Sequence, residues 1–134
     1  MAEDNVITSM LDDLYHEQPI QTALCIGQNL AQYATQHSTQ WHYFSLTEFL
    51  NLPFTQRYDL GVVLLDTAEF KTATDSQKSH MLVKLRDLLA KRIVVVSALH
   101  DEKLLRALGF TQLIDKTTHE QDFALWQFNI LTYK

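Results

Sequence analysis

Apolar residues along the chain alternate between helical spacing and short continuous runs. Residues 7–14 carry apolar side chains at i, i+3, i+4 and i+7, which predicts an amphipathic helix before Pro19. Short apolar or aromatic runs predict strands at Thr22–Gly27, Trp41–Ser45, Tyr58–Asp66 and Arg92–Ala98. The last two runs are almost uniformly apolar, as expected for strands that are covered on both faces of a sheet.

Helices are predicted between these strands, over residues 29–37, 46–53, 74–91 and 101–108. Thr74 and Gln77 have the spacing of a capping box. Asp101 is predicted to cap the last of these helices, and Gly109 to end it in the left-handed conformation. The helix after Thr74 is predicted to bury one apolar face, formed by Met81, Leu82, Leu85, Leu88 and Leu89.

The C-terminal residues fit two structures. Trp126, Phe128 and Ile130 alternate with polar residues, as in a strand, whereas Phe123, Trp126 and Ile130 have helical spacing. The alternation and the aromatic content favour a strand. A short strand over residues 111–115 precedes it, and the short loop between them predicts an antiparallel pair.

Strands that alternate with helices predict parallel crossovers in one sheet. The expected architecture is a single α/β domain over residues 1–134, a three-layer, Rossmann-like, doubly wound and mostly parallel sheet. Its C-terminal strand is antiparallel, and the helix within residues 1–18 packs on the sheet. In such sheets ligands bind at the carboxyl ends of the strands.

Composition narrows the class of protein. The chain has 134 residues, is 46% apolar and carries a net charge of −5, which predicts a soluble domain with no affinity for nucleic acid or membrane. Its one cysteine, Cys25, lies in an apolar run and is expected to be a buried thiol in a reducing compartment. The acidic N-terminus lacks a secretion signal, so a cytoplasmic protein is expected.

The order of these elements resembles class I S-adenosylmethionine-dependent methyltransferases. TALCIG resembles the first strand and turn of that family, YDLGVVLLD its fourth strand, and LLRALGF its late helix-to-strand junction. One middle strand-and-helix unit of that family is missing or cut short between Ser45 and Tyr58. The resemblance implies a site for S-adenosylmethionine at the carboxyl edge of the sheet, with Gly27, Gln28, Asn29, Ser45 and Asp66 as the matching residues.

The matching residues depart from the family's pattern. The first turn keeps one glycine, Gly27, where the family usually has three. Ser45 stands where a carboxylate usually holds the ribose hydroxyls, and no Asn/Asp-Pro-Pro-aromatic motif follows Asp66. These changes predict a degenerate, non-catalytic domain without a bound cofactor, which binds a partner protein or a small ligand at this edge. The alternative is a methyltransferase with an atypical cofactor loop.

A second resemblance is to receiver domains of two-component systems. VVLLDTAEF resembles the strand that ends in the phosphoacceptor, which gives Asp66 that role, with Ser97 and Lys116 as the switch hydroxyl and the phosphate-binding lysine. The acidic pair that holds Mg²⁺ in receivers is replaced here by Gly27, Gln28 and Asn29. An antiparallel last strand would exclude an ordinary receiver.

Other candidate groups have ordinary interpretations beside the functional ones. Asp66 fits a solvated carboxylate at the end of a strand, and Trp41, Tyr43 and Phe44 fit core packing as well as stacking on a base. The six histidines are scattered, so no metal site is expected. Exposed sheet edges and the aromatic tail are compatible with a homodimer.

Overall fold

One six-stranded sheet organises the residues that the computed structural model describes, which are 11–14, 16, 19–27, 39–53, 56–65, 67–98, 101–112 and 123–129. The strands are β1 Thr22–Ile26, β2 Gln40–Phe44, β3 Leu60–Leu64, β4 Arg92–Ala98, β5 Thr111–Gln112 and β6 Phe123–Asn129. They lie in the order β2-β1-β3-β4-β6-β5. The chain therefore crosses from one side of β1 to the other after β2.

The strand directions confirm the predicted sheet. β1 is parallel to β2 and β3, and β3 is parallel to β4. β6 is a strand rather than a helix, and it runs antiparallel to both β4 and β5. An ordinary receiver domain lacks an antiparallel strand at this position, so the sheet excludes that fold.

Helices lie on both faces of the sheet. In chain order they are α1 (residues 11–14), α2 Leu46–Leu50, α3 Ala68–Lys71, α4 Asp75–Lys84 and α5 Glu102–Ala107. Buried residues of α2, α3, α4 and α5 pack with alternate residues of the strands on one face, which we call the α4 face. Leu11 and Leu14 of α1 pack with Cys25 and its neighbours on the opposite face. The predicted helix over residues 29–37 lies outside the described residues.

The cap predictions are confirmed at two helix ends and wrong at a third. Thr74 accepts a hydrogen bond from the N–H of Gln77, and the Gln77 side chain accepts one from the N–H of Thr74, which completes the capping box. Gly109 has φ +93°, as the left-handed end of α5 requires. Asp101 occupies the N-cap of α5, but its side chain makes no capping hydrogen bond. Its carboxylate instead contacts Lys78 of α4.

The predicted apolar face of α4 is wrong at one position. Met81, Leu82, Leu85 and Leu89 are buried, whereas the side chain of Leu88 is 44% exposed. Residues Leu85–Leu89 form a π turn, in which the N–H of Ala90 bonds the carbonyl of Leu85. The wider turn rotates Leu88 away from the face it would share in an α-helix, so regular spacing misplaces it.

Lys84 joins α4 to the end of α2. Its Nζ donates hydrogen bonds to the backbone carbonyls of Phe49, Leu50 and Leu52, at 2.7, 3.2 and 2.6 Å. Phe49 and Leu50 lie in the last turn of α2 and Leu52 lies just beyond it, where backbone carbonyls lack intrahelical partners. Burial lowers the pKa of the Lys84 ammonium. The Lys84 side chain thus fixes α2 against α4.

Asp59 closes the amino edge of the sheet between β1 and β3. Its Oδ2 accepts hydrogen bonds from the N–H groups of Gln21 and Thr22, at 2.9 and 3.2 Å, and its Oδ1 lies 3.4 Å from Nζ of Lys91. Burial raises the pKa of Asp59, but the two backbone hydrogen bonds and Lys91 outweigh it, so the pKa lies below its usual value. The polar groups at this edge are therefore engaged within the chain.

Candidate functional site

The carboxyl edge of the parallel strands carries three of the predicted site residues, Gly27, Ser45 and Ser97, together with Thr67. Gly27 follows β1, Ser45 follows β2, Thr67 comes shortly after β3, and Ser97 lies near the end of β4. The change of direction in strand order lies between β1 and β3, and ligands of doubly wound sheets bind at such a switch point. The surroundings of Gly27 therefore decide whether a ligand has room there.

Three groups of the same chain lie close to the Cα of Gly27. Gly27 has φ +100°, and a Cβ placed on it would lie 2.5 Å from the carbonyl oxygen of Leu64 and 3.2 Å from Oγ1 of Thr67. The same Cβ would lie 3.2 Å from the ring of Phe70. A glycine is required here because the backbone is left-handed and the end of β3 approaches closely.

Phe70 is one of these groups, and it lies on the α4 face. It belongs to α3, the single turn after β3, and its side chain is 2% exposed within the main apolar cluster. Thr67 precedes α3, and its hydroxyl donates back to the carbonyl of Leu64 at 3.2 Å rather than capping the helix. The Phe70 ring and a Thr67 hydroxyl that already donates to the backbone thus lie at the switch point.

Ser45 caps α2. Its Oγ accepts a hydrogen bond from the N–H of Glu48 at 3.2 Å, and the Glu48 carboxylate accepts one from the N–H of Ser45 at 2.9 Å. These reciprocal bonds form a capping box, which the spacing of Ser45 and Glu48 could have predicted. The structure therefore adds a carboxylate at the end of β2, where the sequence indicated only a serine.

The capping box lowers the pH at which Glu48 loses its charge. The hydrogen bonds from the backbone and the side chain of Ser45 lower the pKa of Glu48 below its ordinary 4.5. Because its pKa is lower in the folded state, ionised Glu48 stabilises the fold. This contribution to the free energy of unfolding is complete above about pH 4.5 and disappears as the pH falls through the lower, folded-state pKa.

We expect Glu48→Gln to remove that part of the pH dependence. Glutamine can keep the capping box but carries no charge, as Gln77 shows in the second box of this chain. Urea unfolding between pH 7 and pH 3 measures the difference between the two proteins. The wild type should be the more stable above pH 4.5, and the curves should converge at lower pH. Parallel curves over the whole range would contradict this role for Glu48.

Three buried polar residues, Lys78, Ser97 and Asp101, lie on the α4 side of the sheet. Nζ of Lys78 lies 3.1 Å from Oδ1 of Asp101, and the two residues are 5% and 3% exposed. Ser97 is fully buried and shares this face with Ile93 and Val95, the alternate residues of β4. Among the described residues no hydrogen-bond partner reaches its Oγ. Lys78 has the i, i+3, i+4 spacing of the buried face with Met81 and Leu82, so the pattern could have identified it.

The remaining predicted site residues cannot be placed. Gln28, Asn29 and Asp66, which the resemblance assigned to a cofactor, lie outside the described residues, as does Lys116. The described part of the chain contains no group of three or more metal-ligating side chains. Its helices also include none that combines the length and apolar character needed to cross a membrane.

The four basic residues between positions 84 and 92 each contact acceptor groups of the same chain. Lys84 contacts the end of α2, and Arg86 donates to the carbonyl of Leu108 at 2.9 Å. Lys91 pairs with Asp59, and Arg92 lies 3.4 Å from Oε1 of Gln127. The basic residues that are closest together in the sequence therefore contact four different parts of the chain.

A family model matches residues 1–134, the whole chain, and it describes a family of unknown function (DUF6231). The chain belongs to the DUF6231 family. A search of curated proteins gave no significant match to this DUF6231 chain.

Solved structures of several methyltransferases resemble this DUF6231 chain. Magnesium protoporphyrin IX methyltransferase (ChlM) from Synechocystis PCC 6803, solved with bound SAM, has a TM-score of 0.61 at 11% identity, covering 94% of this chain and 77% of its own. The N-methyltransferase NodS from Bradyrhizobium japonicum WM9 has a TM-score of 0.59 at 12% identity, covering 93% and 94%. WbdD, a bifunctional kinase-methyltransferase, has a TM-score of 0.65 at 11% identity, and the match covers 96% of this chain and 39% of WbdD.

These matches confirm the predicted fold of the DUF6231 chain. It has a Rossmann-like, class I methyltransferase-like fold, in a reduced form whose edge strand is β2 among the described residues. At identities of 11–12% the likeness concerns the fold and not the activity. The chemistry at Gly27, Ser45 and Phe70 must therefore be judged from this chain's own contacts.

Proposed function

We propose that this chain is a methyltransferase-like domain that does not transfer methyl groups, and that it binds a partner protein at the carboxyl edge of its sheet. The observation that carries the proposal is the close packing around Gly27 at the switch point. The methionine end of S-adenosylmethionine would need open backbone beside Gly27, where Leu64, Thr67 and Phe70 already pack.

The polar groups of the cofactor positions support the same conclusion. The Ser45 hydroxyl accepts the N–H of Glu48, and Thr67 bonds the carbonyl of Leu64. A cofactor would therefore exchange existing hydrogen bonds for new ones. Two contacts of the family are also replaced in the sequence, those of the glycine-rich first turn and of the carboxylate that holds the ribose. Each lost charge-assisted contact costs about 1.5–3 kcal/mol, so the loss of both weakens cofactor binding by roughly two to four orders of magnitude.

A thermal-melt series tests the loss of cofactor binding. The purified chain is heated with S-adenosylmethionine, with S-adenosylhomocysteine, and with adenosine as a control for non-specific effects. The proposal predicts the same melting temperature in all three and in buffer. A concentration-dependent rise with both methionine-bearing ligands, but not with adenosine, would contradict it.

The partner surface is tested by charge insertion at exposed positions. Thr47 lies in the first turn of α2 beside the carboxyl edge, and Gln56 lies before β3 at the amino edge, and both are exposed. Cross-linking in cells that express tagged chain should capture a defined partner with the wild type and with Gln56→Arg. Thr47→Arg should lose it. Equal capture by both variants would place the contact elsewhere.

Glu48 supports a second candidate, a cofactor-binding methyltransferase with an atypical loop. Its carboxylate is held at the end of β2 by the N–H of Ser45, and a carboxylate there suits the paired hydroxyls of a ribose. In that case Glu48→Gln would abolish a melting-temperature rise caused by S-adenosylhomocysteine. Without any rise in the wild type, this candidate fails.

A further inference from the structure

Strand β2 lies at one end of the sheet, and among the described strands only β1 lies beside it. The N–H of Gln40, the first residue of β2, donates to the carbonyl of Gln21 at 2.8 Å. Backbone groups of successive residues in a strand point to opposite sides. Gln40 and His42 therefore direct theirs toward β1, and Trp41 directs its N–H and C=O away from β1.

The outer side of β2 carries no residue of the kind that normally keeps sheet edges apart. Its sequence, QWHYF, contains no lysine, acidic residue, proline or glycine. Tyr43 is 45% exposed, and the described residues include one other large apolar side chain that is similarly exposed, Leu88. The edge ends at Ser45, whose N–H donates to the Glu48 carboxylate. An uncharged strand of this kind can accept another strand along its length.

The charges of β2 favour a second copy of the same strand as that partner. Two copies related by a two-fold axis run antiparallel, and an axis at His42 places Trp41 of each copy opposite Tyr43 of the other. Aromatic pairs across strands stabilise a sheet, whereas like charges that face each other destabilise it. Because a two-fold interface brings each residue type to both sides, a strand without charge meets no repulsion from its own copy. A charged strand of another protein gains no ion pair there.

We propose that β2 is a dimerisation edge, on which a second copy of this chain adds its own β2 and continues the sheet across both copies. This edge runs along the side of the sheet and not across the carboxyl ends of its strands. The dimer is therefore independent of the partner protein proposed for those ends, and the two proposals can fail separately.

The test compares two exposed apolar residues in different places. Tyr43 and Leu88 are 45% and 44% exposed, but Leu88 lies in the π turn before β4, which β1 and β3 separate from β2. Wild type, Tyr43→Lys and Leu88→Lys are measured by sedimentation velocity over a range of protein concentrations. Circular dichroism and a cooperative melt establish that each variant is folded.

Wild type and Leu88→Lys are expected to form dimers with the same dissociation constant. Tyr43→Lys should weaken the dimer at least about tenfold, because lysine removes both aromatic pairs and places a charge on the edge. A wild type that stays monomeric up to about 1 mM overturns the proposal. A dimer that both variants weaken equally, or that neither weakens, lies elsewhere on the molecule and also overturns it.

Amide hydrogen exchange of the wild type locates the contact without any substitution. The N–H of Trp41 should exchange at least about tenfold more slowly at a concentration where dimers form than after dilution to monomers. The amides of β5, at the opposite end of the described sheet, should exchange equally at both concentrations. A Trp41 amide whose exchange does not depend on concentration overturns the proposed edge even if the chain dimerises.

Discussion

Replacing Lys78 with alanine is expected to lower the free energy of unfolding by about 3–5 kcal/mol. Nζ of Lys78 lies 3.1 Å from Oδ1 of Asp101, and both residues are buried between α4 and the start of α5. Removal of the ammonium takes from the buried Asp101 carboxylate the cation that Lys78 supplies, and breaking a buried pair in this way costs more than the pair itself contributes. Urea unfolding at pH 7 measures the change.

Two controls separate the stranded charge from lost packing. The double variant Lys78→Met, Asp101→Leu removes both charges and should recover most of the loss, because an apolar pair of similar volume often replaces a buried ion pair without cost. Glu102→Gln breaks the exposed pair with Arg106, whose atoms lie 3.7 Å apart, and should change stability by less than about 0.5 kcal/mol. A double variant as unstable as Lys78→Ala would contradict the electrostatic explanation.

Gly27→Ala is expected to destabilise the fold by about 2–6 kcal/mol, which combines a strained positive φ with overpacking. The added Cβ would stand 2.5 Å from the carbonyl oxygen of Leu64, a backbone atom that moves only if β3 moves. Thermal and urea unfolding measure the loss. A stable, fully folded Gly27→Ala would show that the end of β1 has more room than the structure gives it.

Gly109→Ala is the reference for the conformational part of this effect. Gly109 also has a positive φ, +93°, at the end of α5. A left-handed alanine there should cost about 1–2 kcal/mol. The excess at Gly27 over Gly109 then measures the close approach of Leu64 and Phe70. Equal losses would assign the whole effect to φ.

The apolar runs of the sequence predicted the sheet well, because burial on both faces demands continuous apolar strands. Leu60–Leu64 is buried at every residue, as its sequence LGVVL indicated. The alternation around Trp126 and Phe128 also predicted the last strand correctly. Leu88 was misplaced because a π turn changes the helical period, and no composition rule signals such a turn.

The site was less accessible to sequence reasoning, because its contacts join residues distant in the chain. The Ser45–Glu48 box was visible as a local pattern, and Lys78 had the spacing of a buried face. Asp101 looked like a cap, but its carboxylate pairs with a lysine 23 positions earlier. Nothing local indicated that Phe70 would pack beside Gly27, since that contact arises only when β1 and β3 lie side by side.

The most direct test of the proposed loss of cofactor binding is a titration of ¹⁵N-labelled wild-type chain with S-adenosylhomocysteine, followed through the backbone amide of Gly27. With Phe70 in place, the Gly27 signal should not move up to millimolar ligand, a concentration that corresponds to a binding free energy of about −4 kcal/mol. A saturable shift of Gly27 together with Ser45 at micromolar ligand would contradict the account, since it would mean that the turn after β1 still holds the cofactor.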